Sequence, residues 1–210
     1  MEKVDALLTS SESDQKYHIL LEITNALVGN LDREELFLAI AQELQKGPTF
    51  DRMGITLFNS STDHFQIYAL ETTVVPLALQ RGDDIPRQGS GMGVAFDQRQ
   101  ILYRRELPDE HRFFEDQHFI AEGLRSVVYI PLITKRRVLG TFQIASRTPH
   151  QYSDADIGFL LHVAKSLALA LDNTLAYEEI NNLKDLLSKE NVYLQEEIKS
   201  QTNHEEIIGC

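Results

Sequence analysis

Residues 126–146 carry the sequence SVVYIPLITKRRVLGTFQIAS, which predicts two antiparallel strands joined by a tight turn. The predicted strands are Ser126–Thr134 and Arg137–Ser146, and the basic pair Lys135-Arg136 forms the turn between them. Both strands are rich in the Val, Ile and aromatic residues that favour extended backbone. Successive residues fall on opposite faces of a sheet. The sequence leaves open which of the two faces meets a ligand pocket.

Helical and extended segments alternate before this hairpin. A second hairpin is predicted from strands at 53–58 and 64–70, followed by a long irregular loop at 71–89. The other predicted elements are a lead at 1–14, helices at 15–28, 32–44, 90–98 and 109–122, and a short strand at 101–104. Antiparallel strands with helices grouped around them favour an α+β fold. The expected architecture is an antiparallel sheet with the terminal helices on one face and a lid of loops and short helices on the other.

The C-terminal quarter predicts one long helix whose apolar face narrows along its length. Ser153 with Asp156 three residues later is a helix start, and a broad apolar face follows as far as Leu171. Beyond Tyr177 the apolar residues are spaced three or four apart, close to a heptad seam, with charged residues between them. The predicted seam of a dimeric coiled coil consists of Ile180, Leu183, Leu187 and Leu194. Glu190 and Glu197 fall at strict d positions, so the register stays open.

The chain resembles the GAF domain, a ligand-sensing module of bacterial regulators. The resemblance is carried by GLRSVVYIPL (123–132), VLGTFQIASR (138–147) and YSDADIGFLLHVAKSLALALDNTLAY (152–177), together with LLEITNALVGNLDREELFLAIAQEL (20–44). The order and spacing of these segments matter more than any one of them. The resemblance implies a GAF sensor domain over residues 15–177 and a long C-terminal signalling helix.

The segment at 167–210 is similar to the linker that precedes the ATPase domain in sigma-54-dependent transcriptional activators of the formate hydrogenlyase type. The resemblance implies a coiled-coil linker at 178–203 and the start of an AAA+ domain at 204–210, where Glu206 to Gly209 matches the opening of that domain. It further implies a small-molecule effector, formate or another small anion, and a homodimer that controls the AAA+ domain. Relatives of this type carry two GAF domains, whereas this sequence shows one.

Composition excludes several classes of function. Of 210 residues, 42% are hydrophobic, the net charge is −12, and the one cysteine is Cys210. The negative charge argues against nucleic-acid binding by this segment, and no apolar run is long enough to span a bilayer. The N-terminus lacks the hydrophobic run of a signal peptide, which predicts a cytoplasmic protein. Without an internal cysteine or a P-loop motif, we expect no thiol chemistry, no ATP hydrolysis, no catalytic residue and no cofactor.

The candidate ligand site combines glycines at a helix start with polar residues of the predicted sheet. Backbone N–H groups of Gly91 and Gly93 at the start of the 90–98 helix are suited to hold a small carboxylate, and Arg104 and Arg105 supply guanidinium groups. Ser126, Tyr129 and Gln143 add polar anchors on the central hairpin. Alternatively, the glycines only allow a tight turn of the backbone. The arginines, in turn, can be an exposed, solvated pair that binds no ligand.

A metal site is a weaker hypothesis. His111, Glu115 and His118 are spaced four and three residues apart on the predicted 109–122 helix, and two histidines with one carboxylate suit non-haem iron. The surrounding sequence DEHRFFEDQHF is charged throughout, which is more typical of a solvated helix face. Three functions stay open at this point: an effector sensor, a ligand-free dimerisation module, and an iron-dependent gas sensor.

Overall fold

The computed structural model describes residue 44, residues 48–73 and residues 78–207. The strands are β1 (Arg52–Asn59), β2 (His64–Thr72), β3 (Asp84–Pro86), β4 (Leu102–Arg104), β5 (Ser126–Ile133) and β6 (Val138–Ser146). The helices are α1 (Gly91–Gln98), α2 (Leu107–Glu110), α3 (Asp116–Ala121) and α4 (Asp154–Ile207). The predicted lead and the two N-terminal helices lie outside the described residues, apart from Leu44, which is helical and buried.

The six strands form one antiparallel sheet in the order β3-β2-β1-β6-β5-β4. Both predicted hairpins are confirmed, β1 with β2 and β5 with β6. Pairing of β1 with β6, from Arg52 opposite Ala145 to Leu57 opposite Gly140, joins the hairpins into one sheet. The α+β class predicted from the order of elements is therefore confirmed.

Both faces of the sheet are covered. The face that carries Val127, Tyr129 and Ala145, here called the lid face, packs against all three short helices. The helix residues in this cluster are Met92 and Ala95 of α1, Leu107 of α2 and Phe119 of α3. On the opposite face, Val128, Ile130, Phe142 and Ile144 are equally buried. Each such side chain contributes about 1.5–3 kcal/mol on burial, so the sheet is stabilised by an apolar layer on each of its two faces.

Two predictions for the lid were wrong. The single helix expected at 109–122 is two short helices, α2 and α3, with non-helical residues between them. The Asp116 carboxylate accepts the backbone N–H groups of Arg112 and Phe113, which gives this break its own hydrogen bonds. The loop expected at 71–89 contains β3, which pairs with β2 at the sheet edge. A three-residue strand ending in Pro86 is too short to show an alternating pattern.

The start of α4 follows the predicted cap. Ser153 Oγ accepts the Asp156 N–H at 3.2 Å, and Asp156 Oδ2 accepts the Ser153 N–H at 3.1 Å. The chain divides into two compact units, Met1–Ala170 and Leu171–Cys210. Within the first unit α4 buries Phe159, Leu160, Val163, Ala164 and Leu167. In the described part of the chain, no helix is both long enough and apolar enough to cross a membrane.

Candidate functional site

The start of α1 is held by side chains of the protein itself. Ser90 is the N-cap, and its Oγ accepts the Gly93 N–H at 3.1 Å. The Gly91 N–H donates to Glu115 Oε1 at 2.8 Å. A helix N-terminus favours negative charge, and here the charge is supplied by Glu115 from the segment before α3. The two glycines predicted to hold an anion therefore donate to Glu115 and Ser90.

Glu115 is fully buried, and only one of its two carboxylate oxygens has a partner. Oε2 finds no hydrogen-bond partner among the residues that the structure describes. Burial raises the pKa of Glu115, and the neighbouring charge of Asp116 acts in the same direction. The Gly91 N–H opposes this shift because it stabilises the ionised form. A buried carboxyl group with a free oxygen is costly for stability, which is typical of a functional site.

Tyr129 and Gln143 lie beside each other on the lid face, opposite one another across β5 and β6. A Cβ atom added at Gly91 would lie 2.8 Å from Tyr129 Cε2 and 2.9 Å from Glu115 Oε1, so α1 sits tightly on both side chains. The Tyr129 hydroxyl lies near the Glu115 carboxylate but outside hydrogen-bond geometry. Within the described residues the hydroxyl and Gln143 Oε1 have no partner. We name Glu115, Tyr129 and Gln143 the polar cluster.

Burial also raises the pKa of the Tyr129 hydroxyl well above its ordinary value, and the nearby Glu115 carboxylate adds to the shift. The hydroxyl therefore stays protonated throughout the physiological pH range and remains a hydrogen-bond donor. The polar cluster thus combines a permanent donor with a carboxyl group whose charge depends on pH.

The structure does not bring Arg104 and Arg105 together. Arg104 is buried and donates to the Asp116 carboxylate and to the Glu110 carbonyl oxygen. Arg105 is exposed, with its guanidinium 4.7 Å from the centre of the Tyr103 ring. Arg105 follows the last residue of β4 and is exposed, whereas Arg104 is buried, so the two guanidinium groups lie in different surroundings.

A second buried arginine, Arg52 of β1, binds the other end of α3. Its Nη1 donates to Glu122 Oε2 at 2.8 Å, and Nη2 donates to the Leu79 carbonyl oxygen. Arg52 lies opposite Ala145, Ala145 opposite Val127, and Val127 opposite Arg104. The two arginines thus form one row across the sheet, and α3 is fixed to this row by Asp116 at its start and Glu122 after its end.

Ser126, the remaining predicted anchor, donates its hydroxyl to the Thr148 carbonyl oxygen at 2.7 Å and is buried. Of the predicted ligand residues, Gly91, Tyr129 and Gln143 are adjacent to one another or to Glu115, whereas Gly93, Arg104 and Ser126 have partners elsewhere. Sequence reasoning missed Glu115 as part of this site. Its charged surroundings carry no signal of burial.

The proposed iron ligands are not assembled on one helix. His111 lies in the break between α2 and α3, and Glu115 points to Gly91. In the described ranges, no three His, Cys, Asp or Glu side chains are grouped so that they would hold a metal ion.

A family model described as the GAF domain matches residues 30–172. The formate hydrogenlyase transcriptional activator of Salmonella typhimurium (strain SL1344) is 27% identical over 212 residues, covering 98% of this chain and 30% of that protein. The DNA-binding transcriptional activator HyfR of Escherichia coli (strain K12) is 24% identical over 216 residues, covering 99% of this chain and 32% of that protein. The chain therefore spans about a third of the length of these relatives.

The fold comparison agrees. The GAF domain of a phosphoenolpyruvate-protein phosphotransferase from Coxiella burnetii has a TM-score of 0.67 to this chain at 15% identity, covering 79% of this chain and 97% of that one. At this identity the likeness concerns the fold alone. The family match covers the sheet, the lid and the first part of α4, and it includes all three residues of the polar cluster. The chain belongs to the GAF domain family.

Proposed function

We propose that this chain is the non-enzymatic sensor region of a sigma-54-dependent transcriptional activator. In this proposal the lid face binds a small effector, and α4 pairs with its copy in a second chain and controls an AAA+ domain. Similarity to two transcriptional activators over nearly the whole chain supports this proposal. The GAF fold supports the sensor part.

The observation that carries the proposal is an exposed apolar stripe on the second part of α4. Four large side chains of the predicted seam are about half or more exposed: Ile180 61%, Leu183 53%, Leu187 64% and Leu194 48%. Apolar residues at this spacing are buried in a coiled coil, where each inserts between residues of the facing helix. Ile180, Leu187 and Leu194 are seven residues apart, as the a positions of successive heptads are. A parallel homodimer through this seam is the arrangement we propose.

Signalling then proceeds by a shift between two conformations. An effector that binds one position of the lid more tightly than another changes the population of the two states. Because α4 begins in the sensor and extends into the seam, a change in its packing reaches whatever follows the linker. Coupling of about 1–3 kcal/mol is enough for regulation.

The dimer is tested by placing charge in the seam. We expect the double variant L183D/L187D to sediment as a monomer at concentrations where the wild-type chain is a dimer, because four carboxylates would be forced into one apolar interface. The variant N182D/S188D adds the same charge at exposed positions outside the seam and is expected to remain dimeric. Analytical ultracentrifugation measures both. A wild-type chain that is monomeric at all concentrations would contradict the proposed dimer.

A ligand-free dimerisation module is the second candidate, and one observation favours it. The start of α1, where an anion was predicted to bind, is occupied by the Glu115 carboxylate. The two buried arginines, Arg104 and Arg52, are each bonded to a carboxylate of the protein itself. If the polar groups of the lid all bond to other groups of the protein, the lid is complete without an effector. The three unpartnered atoms of the polar cluster favour the sensor over this alternative, since buried polar groups normally have partners.

A further inference from the structure

Glu115 is buried against the start of α1, and only one of its carboxylate oxygens accepts a hydrogen bond from the described residues. Oε1 accepts the Gly91 N–H, while Oε2 has no partner in the described part of the chain. The Tyr129 hydroxyl, also buried and unpartnered there, lies near the same carboxylate. Two hydrogen-bonding atoms that lack partners inside a folded domain indicate where a ligand completes the network.

The charges around Glu115 restrict how a small anion can bind beside it. From α1 it meets the Gly91 N–H, and from β5 the Tyr129 hydroxyl, both uncharged. Along its own segment Asp116 adds negative charge, which Arg104 of β4 offsets through a buried ion pair. Arg52 of β1 is likewise paired with Glu122. The two buried arginines of the described sheet are thus each committed to another carboxylate, and neither is free to offset a second carboxylate beside Glu115.

An ionised small carboxylate would therefore be repelled by an ionised Glu115. Two carboxyl groups in close contact share one proton instead, because both cannot ionise at short distance. We propose that the lid face binds a small carboxylate together with one proton, which Glu115 Oε2 and the ligand share in an O–H···O hydrogen bond while the Tyr129 hydroxyl donates to the ligand's second oxygen. This inference rests on the proposed function, in which the lid face is the effector site.

Because binding takes up a proton, the affinity for the carboxylate falls as the pH rises. Burial raises the pKa of Glu115, so the proton is available to the free protein at a higher pH than for an exposed glutamate. Above that pKa, each complex formed takes one proton from solvent, and the dissociation constant rises about tenfold per pH unit. Below it, Glu115 is already protonated and the dependence levels off.

The test is calorimetric titration of the full chain with formate, acetate and methylammonium between pH 5.5 and 8, in two buffers with different heats of ionisation. We expect the two carboxylates to bind with uptake of one proton and with affinity that falls as pH rises. Methylammonium is expected not to bind. The proton count is made on the wild-type chain, so it does not depend on any variant folding.

Two variants isolate Glu115. In Glu115→Gln the amide N–H replaces the shared proton, so we expect carboxylate binding to persist and its pH dependence to flatten. Asp109→Asn changes an exposed carboxylate of α2 and is expected to keep the wild-type slope. A flat wild-type profile, or a Glu115→Gln profile as steep as that of the wild type, would overturn the shared proton.

The remaining outcomes separate this inference from the proposed function. If methylammonium binds and the carboxylates do not, the inferred ligand class is wrong, but the proposed sensor function still stands. If none of the three binds at any pH, the inference falls and the ligand-free dimerisation module is favoured over the sensor.

Discussion

Replacing Asp116 by alanine is expected to lower the free energy of unfolding by about 3–5 kcal/mol, because it leaves the buried Arg104 guanidinium without its carboxylate. The same change removes the acceptor of the Arg112 and Phe113 N–H groups. In a chain of this size the loss corresponds to a melting temperature lower by about 6–20 °C. Thermal and urea unfolding measure the effect.

The matched control is Asp109→Ala, an exposed acidic residue on the neighbouring helix α2, with an expected change within about 0.5 kcal/mol. A second comparison removes both charges of this ion pair: in R104M/D116L neither partner is left as an unpaired buried charge, so much of the lost stability should return. If Asp116→Ala melts within 2 °C of the wild type, α3 is not held to the sheet by this ion pair.

Gly93→Ala is expected to destabilise the chain by about 3 kcal/mol, the upper end of what overpacking typically costs. A Cβ atom at this position would lie 1.8 Å from the Arg87 carbonyl oxygen and 3.1 Å from Ser90 Oγ. Because the closest atom belongs to the backbone, α1 must move away from the preceding segment, and such overpacking is costly. Displacement of α1 would also disturb the Gly91 contact with Glu115. Urea unfolding compares the variant with the wild type.

Gly158→Ala provides the control, since a Cβ atom there meets nothing within 4 Å and the residue lies inside α4. Alanine is favoured over glycine in a helix by about 1 kcal/mol, so this variant is expected to be slightly more stable than the wild type. Equal effects of the two substitutions would show that helix propensity, not the close approach to Arg87, decides the outcome at Gly93.

The hairpins could be predicted because their signal is local. Runs rich in apolar and β-branched residues mark β5 and β6, and the basic pair Lys135-Arg136 marks the turn between them. The cap of α4 was equally visible, since Ser153 and Asp156 bond to each other's backbone over three residues. These features depend on neighbours in sequence, which a single chain displays directly.

The structure of the lid could not be predicted because it depends on contacts between residues that are far apart in the sequence. Asp116 and Glu122 appear as ordinary charges of a solvated helix, yet each is buried because an arginine from a distant strand reaches it. Glu115 is buried beside the start of α1, where the Gly91 N–H, 24 residues away in sequence, donates a hydrogen bond to its carboxylate. The different surroundings of Arg104 and Arg105 are invisible in the sequence for a similar reason, since only the fold shows that Arg104 is buried and Arg105 exposed.

We propose that the effector binds to the lid face at the polar cluster. Titration of the ¹⁵N-labelled chain with formate at pH 5.5, followed through the backbone amide signals, tests this binding. We expect a saturable change in which the Gly91 amide, bonded to Glu115, is among the most strongly shifted signals. A Gly91 signal that does not move, whether formate shifts only residues away from the lid face or shifts none at all, would contradict it.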